Sequence, residues 1–109
     1  MHIGIIGGIE RGWTTYERLA AAHGHEVELH GGHTHGRGQE VLESLVRRSD
    51  LLVVVTGINS HSAVIATRKL VRQYNKRILI MKSCGTSRFV HLLEALEGRA
   101  EIESYARAG

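Results

Sequence analysis

The sequence predicts a small doubly wound, Rossmann-like α/β domain: a parallel sheet of four to five strands in the order 2-1-3-4 with helices on both faces. Four short β-branched runs alternate with four segments of helical spacing. The run "LLVVV" (51–55) is apolar without alternation, as a strand covered on both faces must be. Alternating strands and helices joined by right-handed crossovers give a parallel sheet. A chain of 109 residues, 42% apolar, suits a single domain spanning residues 1–109.

The first strand is expected at His2–Ile6 (HIGII), followed by the glycine-rich turn "GGIERG" and a helix over Trp13–Ala22. Thr14 with Glu17 three residues on fits a capping box at its start, and Gly24 fits a stop at its end. The second strand is Glu26–His30 (EVELH), with Val27 and Leu29 on one face and Glu26, Glu28 and His30 on the other. A helix over Gln39–Arg48 places Val41, Leu42, Leu45 and Val46 on one side. The third strand is Leu51–Thr56, the third helix Ser60–Tyr74 and the fourth strand Arg77–Met81. The last helix, Thr86–Glu97, carries a broad apolar stripe of Phe89, Val90, Leu92, Leu93 and Leu96. A fifth short strand is expected over Ala100–Tyr105. There is no internal repeat, no low-complexity linker and no proline.

Fourteen basic against eleven acidic residues give a formal charge of +3, which suits an anionic ligand. The cations form no run along the chain, so no nucleic-acid partner is expected. The single cysteine, Cys84, rules out an intramolecular disulfide. No apolar segment approaches the roughly 18 residues of a membrane span. The N-terminus lacks the basic-then-apolar layout of a signal peptide, and a cytoplasmic location is expected.

In the order 2-1-3-4 the chain reverses direction between strands one and three. The loops Gly7–Gly12 and Gly57–His61 then face each other across a switch-point crevice. The stretch after strand two and Ser83–Ser87 after strand four complete the rim, while Asp50 lies at the opposite, amino end. In "GGIERG", Gly8 permits close backbone approach and Arg11 favours an anion at the following helix N-terminus. The motif is neither G-x-G-x-x-G nor a Walker A lysine loop, and a turn serving chain geometry alone explains it equally well. In "TGINSHS", Asn59 or Ser60 is a natural N-cap. His61 in the first helical turn is poorly placed for a charge, which leaves a neutral imidazole available as ligand or proton acceptor; a satisfied structural histidine is the alternative.

The stretch "HGHEVELHGGHTHGRG" (23–38) divides in two. His23 and His25 flank the Gly24 turn and are expected in solvent. His30, His33 and His35 lie in or beside the loop at the ligand side, where H-x-x-H-x-H spacing can bring imidazoles together. No carboxylate or thiolate accompanies them, so a closed structural zinc site is not expected. Cys84 in "KSCGTS" precedes a helix N-terminus, a place for a nucleophilic thiolate or an inert thiol. Ser83, Thr86 and Ser87 read as caps and anion-facing hydroxyls, and His2 and His91 as incidental.

Together these pieces resemble the bacterial family grouped as domain of unknown function 2325. The matching segments are "IGIIGG" with Arg11 and Tyr16 after it, "LHGGHTHGRG", "SDLLVVVTGINSHSAV" and "ILIMKSCGTSRF", and they cover nearly the full length. The most specific is Asn59–Ala63. Relatives often carry His-His-Asp-Gly-Gly after strand two, whereas Leu29-His30-Gly31-Gly32 lacks the acid. The resemblance implies a non-enzymatic, histidine-ligated heme protein that binds or senses a diatomic gas such as dioxygen. His61, His33 or His35 would ligate the iron, Arg11 and Arg37 would meet the propionates, and Trp13 or Tyr16 would flank the porphyrin. Gly8, Asn59 and Ser60 would line the same crevice. So large an apolar cofactor is more easily walled at the interface of a homodimer. Two other readings remain open: a regulatory module binding a phosphate-bearing small molecule or nucleotide at the crevice, and a small enzyme with His61 as base.

Overall fold

A computed structural model describes residues 1–7, 13–32, 34, 36–57 and 61–97. In chain order the described elements are β1 (His2–Ile6), α1 (Trp13–Ala22), β2 (Glu26–His30), α2 (Gly38–Arg48), β3 (Leu51–Val55), α3 (His61–Gln73), β4 (Arg77–Met81) and α4 (Thr86–Glu97). The strands form one parallel sheet in the order β2-β1-β3-β4. The expected fold class and strand order are therefore present, and the expected fifth strand, Ala100–Tyr105, lies outside the described residues.

Period-two geometry explains how one sheet serves two cores. Ile3, Ile5, Val27, Leu51, Val53, Val55 and Leu79 point to the face covered by α1 and α4, where they meet Tyr16, Ala20, Phe89, Leu92 and Leu93. The alternate residues Ile6, Leu52 and Val54 meet Leu42, Leu45 and Val46 of α2 and Ala63 and Val71 of α3. All five residues of β3 are buried, as its unbroken apolar run requires of a central strand. Complete burial of a side chain such as Phe89 contributes about 1.5–3 kcal/mol. Gly4 lets α2 close onto the sheet, since a Cβ there would sit 2.8 Å from Ser49 Oγ and 2.9 Å from Leu52 Cδ1.

Helix ends show why the elements stop where they do. Gly24 (φ 78°) ends α1 in a Schellman turn: the His25 N–H donates to Ala20 O at 2.8 Å and the Gly24 N–H to Ala21 O at 3.0 Å. Asn75 (φ 53°) takes the same left-handed position after α3, with the Lys76 N–H donating to Val71 O at 2.9 Å. Ser49 ends α2, its hydroxyl and its N–H both donating to Leu45 O.

Some boundaries and faces differ from expectation. Helix α2 begins one residue earlier, at Gly38, and α3 runs from His61 to Gln73. Strand β3 ends at Val55, although the Thr56 and Gly57 N–H groups still donate to Met81 O and Lys82 O, each at 2.8 Å. Thr14 lies inside the first turn of α1 and is not its N-cap, because the helix already includes Trp13. Val41 is 52% exposed. The buried side of α2 is centred on Gly38, Leu42, Leu45 and Val46, which leaves Val41 about a quarter turn off the core. No described helix is long and apolar enough to cross a membrane.

Candidate functional site

Parallel pairing carries the ends of all four strands to one edge of the sheet. Gly7 (φ 114°) turns the chain after β1 while its N–H donates to His30 O at 2.8 Å. On the other side of β1, Gly57 brings the end of β3 against the chain leaving β4. A Cβ on Gly57 would lie 2.4 Å from Lys82 O, so this approach requires glycine.

His30 is buried at that edge, 5% exposed. Its Nδ1 accepts the Gly32 N–H at 3.0 Å and its Nε2 lies 3.2 Å from Gly38 O. The first bond requires a bare Nδ1 and the second a proton on Nε2, so one neutral tautomer serves both. His30 thus fastens the two ends of the segment that joins β2 to α2. A ligand role would cost these bonds, and the sequence offered no sign of this use: a strand-end histidine beside glycines looks the same whether it faces a ligand or its own loop.

Thr34, in the middle of that loop, shares a hydrogen bond at 2.9 Å with Ser62 in the first turn of α3. This bond joins the loop after β2 to the helix that begins with His61. His61 is exposed, and its ring has no hydrogen-bond partner among the described residues. Arg37 is 92% exposed in its side chain at the N-cap of α2, with Glu40 3.8 Å away. Gly8, Arg11, His33, His35, Asn59 and Ser60 lie outside the described residues.

The two aromatic candidates occupy different surroundings. Tyr16 is 4% exposed in the core under α1, with its ring 5.1 Å from that of Phe89. Its hydroxyl donates to Cys84 O at 2.8 Å. Burial, and then the neighbouring Cys84, push its pKa above the ordinary phenol value. Trp13 is 44% exposed and opens on the outer edge of β2, in a recess of about 580 Å³ lined also by Thr14, Glu17, Glu26 and Glu28.

Cys84 is 3% exposed, and burial pushes its thiol above the ordinary value despite the opposing charge of Arg88. The helix-start position left a nucleophilic thiolate and an inert thiol both open. Desolvation favours the inert thiol, which stays protonated at neutral pH. In the same turn, Gly85 O accepts the Phe89 N–H at 3.0 Å, which makes Gly85 the N-cap of α4.

At the amino end, Asp50 bridges β1 and β3: its carboxylate accepts the His2 N–H at 2.8 Å and its own N–H donates to His2 O at 2.7 Å. This places it away from the strand ends, as expected. His2 is more engaged than its incidental reading implied, with Nδ1 3.2 Å from Glu26 and Nε2 3.6 Å from Glu28. Burial raises the Glu28 carboxyl's pKa, but the hydrogen bond and charge of Arg48, with His2 beside it, bring the balance below the ordinary value. His25 and His23 are half-buried, not fully solvated, and His25 Nδ1 lies 2.7 Å from the terminal amine. Among the described residues no group of three or more His, Cys, Asp or Glu side chains could hold a metal ion.

Residues 2–96 match a family described as "Uncharacterized protein conserved in bacteria (DUF2325)". Two UPF0751 proteins of Desulfitobacterium hafniense are similar along most of their length. One is 30% identical over 91 residues, 83% of this chain and 89% of the relative. Another is 28% identical over 102 residues, 90% of this chain and 96% of the relative.

Proposed function

The chain belongs to the DUF2325 family, and from that premise we propose that it is a non-enzymatic heme protein whose histidine-bound iron binds or senses a diatomic gas such as dioxygen. The observation that carries this reading is the Thr34–Ser62 hydrogen bond. It ties the loop whose neighbouring positions are His33 and His35 to the helical turn opened by His61. These residues fit the group chemically. A porphyrin brings four nitrogen ligands of its own, so one or two imidazoles suffice and no larger ligand cluster is needed. His61 is exposed, Arg37 offers a solvent-facing guanidinium, 3.8 Å from Glu40, to a propionate, and Ile65, 43% exposed one turn beyond His61, supplies apolar surface. When bound, the heme would supply the iron that takes up the gas. His61 would orient it, Arg37 would anchor its acidic rim, and a second copy of the chain would complete an apolar wall that Ile65 alone does not make.

The test is the visible absorption spectrum of protein expressed with heme supply, recorded before and after reduction and then with oxygen admitted. A Soret band that shifts reversibly, and that is lost or displaced in His61→Ala, supports the reading. A colourless protein that ignores added hemin overturns it. A clean monomer sedimenting at micromolar concentration would remove the homodimer.

A second reading rests on a separate observation. Neither α1 nor α3 has an acidic residue in its first turn, so neither helix sets a carboxylate of its own first turn against its positive end at the carboxyl edge. A phosphate-bearing small molecule or nucleotide suits that edge with Arg37 beside it. Nucleotides that raise the melting temperature of colourless protein would favour this alternative.

A further inference from the structure

The net charge of +3 conceals a division. Residues 51–93 contain seven Lys and Arg and no Asp or Glu, while the rest of the chain holds seven Lys and Arg against eleven acids. The fold gathers the cationic half at one end of the sheet. Helix α3 buries Ala63, Thr67 and Val71 against β3 and β4 and turns Arg68, Lys69 and Arg72 to solvent. The chain then passes Lys76 and exposed Arg77 into edge strand β4. Lys82, leaving that strand, and Arg88 on α4 carry exposed positive charge around to the other face. Among the described residues none of these seven is ion-paired, whereas Arg48 meets Glu28 and Arg37 meets Glu40 in the other half.

Seven cations along this edge, with Asp50 in the recess beside Arg77 and Glu43 bonded to Tyr74 as the acids next to them, leave an excess of positive charge that a polyanion relieves. We propose that the α3–β4 end binds the phosphate backbone of double-stranded nucleic acid without sequence preference. Four of the seven cations are arginines, whose guanidinium forks match phosphate oxygens. Arg68 and Arg72 stand one helical turn apart, about 6 Å along the axis, in reach of successive phosphates. Single-strand binding would need stacking platforms. No exposed Phe, Trp or Tyr occurs among the described residues of 51–93, and the half-buried Tyr74 is engaged with Glu43 through its hydroxyl and with Arg47 over its ring. Ile65 is the lone large apolar side chain exposed there among the described residues, too little for insertion into a membrane surface. The sequence pI of about 9.4 agrees with such a surface. The linear sequence did not suggest this partner because the cations are spaced along the chain and converge only when α3 and β4 fold.

The decisive experiment is a fluorescence-anisotropy titration of the intact protein against a labelled duplex of arbitrary sequence, at several salt concentrations between about 50 and 200 mM. Binding is expected with a log–log salt slope of about −4 to −5, corresponding to about five neutralised phosphates. The double variant Arg68→Ala/Arg72→Ala, checked for an unchanged circular dichroism spectrum, should lose at least about tenfold in affinity and flatten the slope by about two. Arg18→Ala, on α1, should bind as the parent does. No binding at the lowest salt, binding unaltered in the double variant, or tighter association with anionic vesicles or polyglutamate than with the duplex would each overturn the proposal.

Discussion

The Tyr16 hydroxyl donates to Cys84 O at 2.8 Å, joining two residues 68 positions apart and fixing α1 to the turn that starts α4. Both groups are buried, so removing the hydroxyl leaves a carbonyl without that donor. Tyr16→Phe keeps the ring against Phe89 and should cost about 1–2 kcal/mol in urea unfolding. Each kcal/mol should lower the melting temperature by about 4–8 °C. An unchanged midpoint would mean that the bond is redundant.

Two glycines at the carboxyl edge should respond in opposite ways to the same substitution. In Gly57→Ala the new Cβ meets Lys82 O at 2.4 Å, and backbone has to move; the expected cost is about 1–3 kcal/mol. Nothing lies within 4 Å of a Cβ on Gly85, so Gly85→Ala should stay within about 0.5 kcal/mol of the parent. Comparing the two melting curves checks both statements.

Acid stability should depend on Glu28. Its pKa is lower in the folded chain than the ordinary 4.5, so the unfolded state binds its proton more readily. The stabilising contribution is fully present above that ordinary value and disappears as pH falls through the lower folded-state value. Unfolding free energies measured from pH 7 downward should therefore decline less steeply in Glu28→Gln than in the parent at the acid end. Equal slopes would show that other carboxylates account for the acid limb.

Cys84 should be silent toward thiol reagents in the folded protein. Burial keeps it protonated and out of reach, so DTNB at pH 8 should react slowly until denaturant is added, then titrate one thiol per chain. Rapid reaction of the native protein would restore a nucleophilic role.

What could be read from the sequence depended on whether a signal was local. The LLVVV run placed β3 at the centre of the sheet, and the strand–helix alternation led to the order 2-1-3-4, because burial on two faces and crossover handedness are properties of short segments. Val41 was misplaced because adjacent positions at the margin of an apolar stripe differ by only about 100° around the helix. The roles of His30 and Tyr16 were not legible, since each is defined by partners that the chain brings back from elsewhere. The acid-free span 51–93 was visible, but an average over the whole chain hid it.

Because His30 holds both Gly32 and Gly38, one ring clasps the two ends of the loop after β2 through their backbone groups. Side chains between them can be exchanged without touching these two bonds, provided that Gly36 (φ 60°) stays glycine and Thr34 keeps its hydroxyl for Ser62. The clasp thereby separates what holds the ends of the loop from what its middle presents.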